Sequence, residues 1–178
     1  RADEMTGPLA LAGVALAEAR AAALDGNCRV ERSGEEPLFI QPVPPPLRML
    51  IVGAVRIAQT LAPIAVEAGF EVTVIDPRRA FAAPERFPAF AVVREWPDKA
   101  LPTLGLDPGT AVVALTHDAK PDDMALGLAL RSDAFYVGAL GSRKNHAKRA
   151  QRLKEAGYTE AELARIRAPV GLDIGART

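Results

Sequence analysis

The chain has 178 residues, 49% of them hydrophobic and only 5% aromatic, with Lys+Arg and Asp+Glu balanced at 22 each. A chain of this size builds a full core without staples. It shows neither the basic surplus of a nucleic-acid binder nor an apolar run long enough to cross a membrane. The single cysteine, Cys28, excludes an internal disulfide and a cysteine-based zinc site within one chain. A cytoplasmic protein with no membrane or nucleic-acid partner is the expectation. The chain opens on Arg1 rather than Met and stops just past Gly175, so both ends are read as trimmed.

Residues Pro8 to Leu24 predict an Ala/Leu-rich helix, with Leu9, Leu11, Leu16 and Leu24 on a loose apolar face and Asp25-Gly26-Asn27 as its stop. Cys28–Arg32 and Pro37–Gln41 alternate in β fashion around Ser33-Gly34-Glu35-Glu36, which reads as a short hairpin. Gln41 to Pro46 is too proline-rich for helix or ladder and makes a stiff extended linker. The boundary falls there: residues 1–43 form a helix-plus-hairpin appendage, and residues 44–178 form the main domain.

Met49 to Val52 is an apolar run stopped by Gly53, the pattern of a strand buried on both faces of a parallel sheet. Helical spacing follows, with Ile57, Leu61, Ile64, Ala65 and Ala68 on one predicted face and Gly69 as the stop. Glu71 to Ile75 is the next strand, closed by Asp76. This βαβ unit places an acidic residue about 20 positions past the first glycine, where a carboxylate meets a ribose hydroxyl in dinucleotide-binding folds. The fingerprint itself is incomplete. In Gly53-Ala54-Val55-Arg56-Ile57-Ala58 the middle glycine is Val55, whose side chain occupies the position where pyrophosphate would approach the backbone.

Pro77 to Phe90 reads as an ordered loop, Phe90–Val93 as a third strand and Pro97–Leu104 as a short helix. Thr110–Leu115 is a fourth strand ending in Thr116-His117-Asp118. A helix runs from that point to Arg131, with Leu126 and Leu130 facing inward. Phe135–Val137 is a fifth strand, and Gly138 to Ser142 turns into a basic helix reaching Ala156. Thr159 with Glu162 makes a capping box for a last helix to Arg167. Strands alternating with helices predict an α/β fold: a doubly wound, mainly parallel, Rossmann-like sheet.

In such a sheet ligands bind beyond the carboxyl ends of the strands. Four loops qualify: Gly53–Arg56, Asp76–Arg79, Thr116–Lys120 and Gly138–Lys144. The last is the strongest anion candidate, because Gly138 and Gly141 let the backbone bend and Ser142-Arg143-Lys144 opens a helix. That helix carries six basic residues from Arg143 to Lys154 and no acidic one; a solvated basic face is the plainer reading. Asp76 would grip a ribose and Arg78 or Arg79 a phosphate, or the carboxylate pairs with its own arginines. His117 is a weak candidate for proton transfer. With His146 the only other histidine, no metal site is expected.

These loops together resemble a known family. The runs PPPLRMLIVGA, GF.VTVIDPR..FA.PERFP, ALTHD.K.DD.AL, FYVGALGSRK.HAKR and GLDIGA look like the C-terminal Rossmann domain of the XdhC/CoxI family over Pro44 to Thr178. The resemblance implies an accessory chaperone for molybdenum hydroxylases such as xanthine dehydrogenase, rather than an enzyme with its own turnover. It implies molybdenum cofactor, as molybdopterin or its dinucleotide, held as cargo, received in sulfurated form and delivered to an apo-hydroxylase. It further implies a cysteine desulfurase or other sulfurating protein as partner, and a homodimer. Carried over by motif, the ligand cleft comprises Gly53, Val55, Arg56, Asp76, Arg78, Thr116, His117, Asp118, Gly141, Ser142, Arg143, Asp173 and Gly175. The family turn usually carries histidine where this chain has Arg56, which adds phosphate-binding charge. The alternatives are an NAD(P)-dependent oxidoreductase or a nucleotide-sensing module on the same scaffold, with Val55 and the lack of a substrate domain counting against the first.

Overall fold

A computed structural model of the chain describes residues 13–32, 34, 36–43, 45–172 and 174–175. They fall into two compact units, residues 1–45 and 46–178. The first holds α1 (Gly13–Asp25) and an antiparallel hairpin of β1 (Arg29–Glu31) and β2 (Leu38–Ile40), in register through Val30 and Phe39. The expected start of α1 at Pro8 lies outside the described residues. Among the α1 side chains described, only Ala22 is buried.

The second unit is a six-stranded, wholly parallel sheet in the order β5-β4-β3-β6-β7-β8. Its strands are β3 (Leu47–Val52), β4 (Phe70–Ile75), β5 (Ala91–Val93), β6 (Thr110–Ala114), β7 (Tyr136–Ala139) and β8 (Ile166–Arg167). Its helices are α2 (Arg56–Glu67), α3 (Pro97–Leu104), α4 (Ala119–Leu130), α5 (Arg143–Glu155) and α6 (Glu160–Leu163). Strand order runs outward from β3 in one direction and from β6 in the other. The reversal therefore lies between those two strands, and their carboxyl ends open the crevice that such folds use.

Helices cover both faces. Leu101 of α3, Leu126 and Leu130 of α4 and Leu153 of α5 pack with Val52, Val112 and Val137 on one face. On the other, α2 and the Pro77–Phe90 loop pack with Ile51, Val74, Val113 and Phe87. The loop is ordered through a 3-10 turn at Pro84–Arg86.

Two expectations need correction. The buried face of α2 is Ala58, Ala62 and Ala65, whereas Ile57 and Ile64 face outward. Small side chains let the helix lie close on the sheet, so its contact stripe is alanine rather than isoleucine. The last helix stops at Leu163 instead of Arg167. Its capping box forms as expected, but Ile166 leaves the helix to pair with Val137 as the edge strand.

Arginines fasten the loops to one another. Arg48 donates to the carbonyls of Leu104 and Gly105 and to Asp107 and Thr110 at the amino end of the sheet. Arg165 donates to the carbonyls of Leu130, Ser132 and Ala134. Each guanidinium spreads several donors over carbonyls that helix ends and turns leave unpaired.

Candidate functional site

The crevice is built from the first turn outward. Gly53 sits at φ +114°, and a Cβ there would lie 2.8 Å from Thr116 Cγ2 and 3.0 Å from Thr116 N. Only glycine lets the end of β3 approach the end of β6 this closely. Ala54 then donates its N–H to Asp76 Oδ2 at 2.8 Å, which ties the turn to the end of β4. Asp76 is fully buried, and Arg78 fills the rest of its carboxylate through the backbone N–H, Nε and Nη2 at 2.7–2.9 Å. Burial alone would raise the Asp76 pKa, but the bonds from Arg78 and Ala54 outweigh it and hold the group below the ordinary carboxylate value. Of the two sequence readings, the observed geometry is the carboxylate paired with its neighbouring arginine.

Val55 directs its half-buried side chain onto the α2-face core and caps α2 in an extended conformation. Arg56 is exposed at the first position of α2. Arg78 stacks on Phe81 at 4.0 Å, and the carboxylates of Asp118 and Asp122 help to raise its pKa after the larger effect of Asp76. The ends of β4 and β6 are thus electrostatic neighbours.

At the end of β6, Thr116 donates its hydroxyl to Asp122 Oδ1 at 2.7 Å, and its N–H goes to the same oxygen. His117 follows at φ +62°, the one non-glycine residue with positive φ among the described residues. His117 therefore breaks the extended run at the end of β6, whereas Asp118 returns to extended backbone at φ −94° and ψ 127°. The left-handed bend lets the Asp118 N–H return to Thr116 Oγ1, while Asp118 caps α4 by accepting from the Lys120 N–H. A non-glycine residue held there carries local backbone strain.

Gly141, Ser142 and Arg143 form the turn into α5. Gly141 lies at φ +133° and Ser142 caps the helix through the Asn145 N–H. Gly138 does not bend the chain as expected. It is inside β7, where a Cβ would come within 2.8 Å of Tyr136 and 3.0 Å of Val170, so its role is close packing. Gly175 is exposed at φ +71°, and Asp173 lies outside the described residues.

Three residues that sequence reasoning missed complete the rim. Arg86 donates at 2.6 Å to the carbonyls of Ala54 and Phe81 and is braced by Gln59. Asp122 and Arg149 are 1% and 5% exposed and face each other at 3.4 Å. Burial, more than any neighbour, pushes the Asp122 pKa up. A pocket of about 180 Å³ opens beside this pair, with His117, Asn145, Lys148 and Arg152 in its wall. It lies one to two turns along α5 from Ser142 and Arg143, the residues expected to form the anion site. Among the described residues, no group of three or more His, Cys, Asp or Glu is placed to hold a metal ion.

The comparisons with known proteins agree with this architecture. The chain is 34% identical over 128 residues to the molybdenum cofactor insertion chaperone PaoD of Escherichia coli, covering 72% of this chain and 34% of that protein. It is 31% identical over 140 residues to a protein of Bacillus subtilis named as a probable xanthine dehydrogenase subunit, covering 78% of this chain and 40% of that protein. The chain thus spans little more than a third of the length of these relatives. A solved structure described as a xanthine dehydrogenase from Bacillus halodurans superposes with a TM-score of 0.63 at 26% identity, over 79% of this chain and 39% of that one. The family model for the XdhC Rossmann domain matches residues 49–178, and the chain belongs to that family.

Proposed function

We propose that the chain binds molybdenum cofactor at the carboxyl rim of its sheet and inserts it into an apo-hydroxylase of the xanthine dehydrogenase type. The observation that carries this reading is the reversal of strand order between β3 and β6, in a chain whose relatives include a protein named as a cofactor insertion chaperone. In this reading Gly53, Val55 and Arg56 form one wall, Thr116, His117 and Asp118 the other, and Asp76 with Arg78 fixes the angle between them. Gly141, Ser142, Arg143 and Gly175 flank the anionic end of the cargo. The cargo arrives in sulfurated form from a cysteine desulfurase or similar protein, and the working unit is a homodimer.

The nicotinamide alternative is weaker on one point of geometry. The acidic residue that would grip a ribose is Asp76, and protein N–H groups already occupy both of its oxygens. Reconstitution tests the proposal. Purified apo-hydroxylase mixed with cofactor-loaded chain should gain activity faster than with free cofactor. Equal rates with and without the chain would refute insertion.

A further inference from the structure

Arg149 is buried with part of its hydrogen-bonding capacity unused. Its Nη2 donates to the Leu140 carbonyl at 3.0 Å and faces Asp122 Oδ2 at 3.4 Å. Its Nε and Nη1 are sealed from solvent and make no hydrogen bond. The nearest carboxylate to Nε is Asp123 at 3.8 Å, too long for a hydrogen bond. Unpaired donors on a buried guanidinium are costly, and the planar fork matches the oxygens of a phosphate. Arg149 lines the pocket beside His117. Lys148, exposed in the same wall, makes no ion pair among the described residues. Arg152 is already held by Asp123 at 2.9 Å. Three cations thus face two carboxylates, and Asp122 has one oxygen committed to Thr116.

We propose that this pocket is a phosphate subsite, in which Arg149 and Lys148 hold a phosphate monoester or a pyrophosphate. It rests on the cargo reading only for what the rest of the ligand is. The pocket, at about 180 Å³, is smaller than the ~300–1,000 Å³ of a whole small-molecule site, so it takes one end of a ligand whose body lies along the crevice. The anion reaches the sealed donors by shifting the exposed Asn145 or Lys148 side chain.

Titration of inorganic phosphate and of pyrophosphate into the full chain tests this, by calorimetry and by the arginine Nε–H resonances. Arg149→Lys keeps a charge beside Asp122 while removing the fork, and Lys148→Ala changes only an exposed position. The wild type should bind, the Arg149 Nε–H resonance should move, and affinity should fall at least about tenfold in Arg149→Lys and severalfold in Lys148→Ala. Tighter binding of phosphate identifies a monoester end; tighter binding of pyrophosphate identifies a nucleotide form. No binding by the wild type, or equal affinity in all three proteins, overturns the subsite. Pyrophosphate binding through Arg149 without any cofactor binding supports the subsite and removes the cargo reading. Cofactor bound equally by wild type and both variants overturns the subsite and leaves the cargo reading standing.

Discussion

Ala54 and Asp76 are joined by a 2.8 Å hydrogen bond from a backbone N–H to a fully buried carboxylate, and this bond ties the turn after β3 to the end of β4. Asp76→Asn replaces an acceptor by an amide that presents N–H to N–H. A loss of about 2–4 kcal/mol of unfolding free energy is expected, read from urea denaturation. A loss under about 0.5 kcal/mol would show that the turn holds without it.

The two buried carboxylates of the rim titrate in opposite senses. Asp76 lies below its ordinary value of 3.8, so its stabilisation is present above that pH and is lost as pH falls through its folded pKa. Asp122 is raised above 3.8, so the folded state holds its proton more tightly and stability falls as pH rises through that window. Asp122→Asn removes the second effect. The stability of the variant relative to wild type should therefore increase with pH from about 4 upward. A constant difference across that range would mean that Asp122 is not perturbed.

Gly53→Ala is expected to cost about 2–4 kcal/mol, because φ +114° is unfavourable for alanine and the new methyl meets Thr116. Adding Thr116→Ser removes the closest contact, the Cγ2 at 2.8 Å, and should recover part of the loss. Thermal melting of both proteins checks it; no recovery would place the whole cost in the backbone.

Arg86 bridges the Ala54 and Phe81 carbonyls, so Arg86→Ala should lower stability by about 1.5–3 kcal/mol. Lysine should not rescue it, since one ammonium lacks the fork that reaches both carbonyls and Gln59. Hydrogen exchange at residues 77–90 reads the effect, and unchanged protection in Arg86→Ala would contradict the bridge.

The sheet was legible because its strands are continuous apolar runs bounded by glycine and its helices are periodic, both local signals. The face of α2 was not, since Ile57 and Ile64 recur at the same period as Ala58, Ala62 and Ala65 and periodicity cannot rank two apolar stripes. The strand at Ile166 depends on pairing with Val137, a contact remote in sequence. Arg149 was hidden among five other basic residues of its helix, and its burial depends on Asp122, far away in the chain. A signal was present all the same. Arg149 precedes Leu153 by one turn, and Asp122 precedes Leu126 and Leu130 by one and two turns. Each is a charge on an inward stripe, and the two stripes face each other.

The central question is what binds at the carboxyl rim of the sheet, where β3 and β6 end side by side. Anaerobic titration of the full chain with molybdenum cofactor, and separately with NAD+ and NADP+, measures that directly. The account predicts a cofactor dissociation constant in the micromolar range or tighter, about −8 kcal/mol, with nicotinamide nucleotides failing to compete. Saturable NAD(P) binding with no affinity for molybdenum cofactor would contradict it.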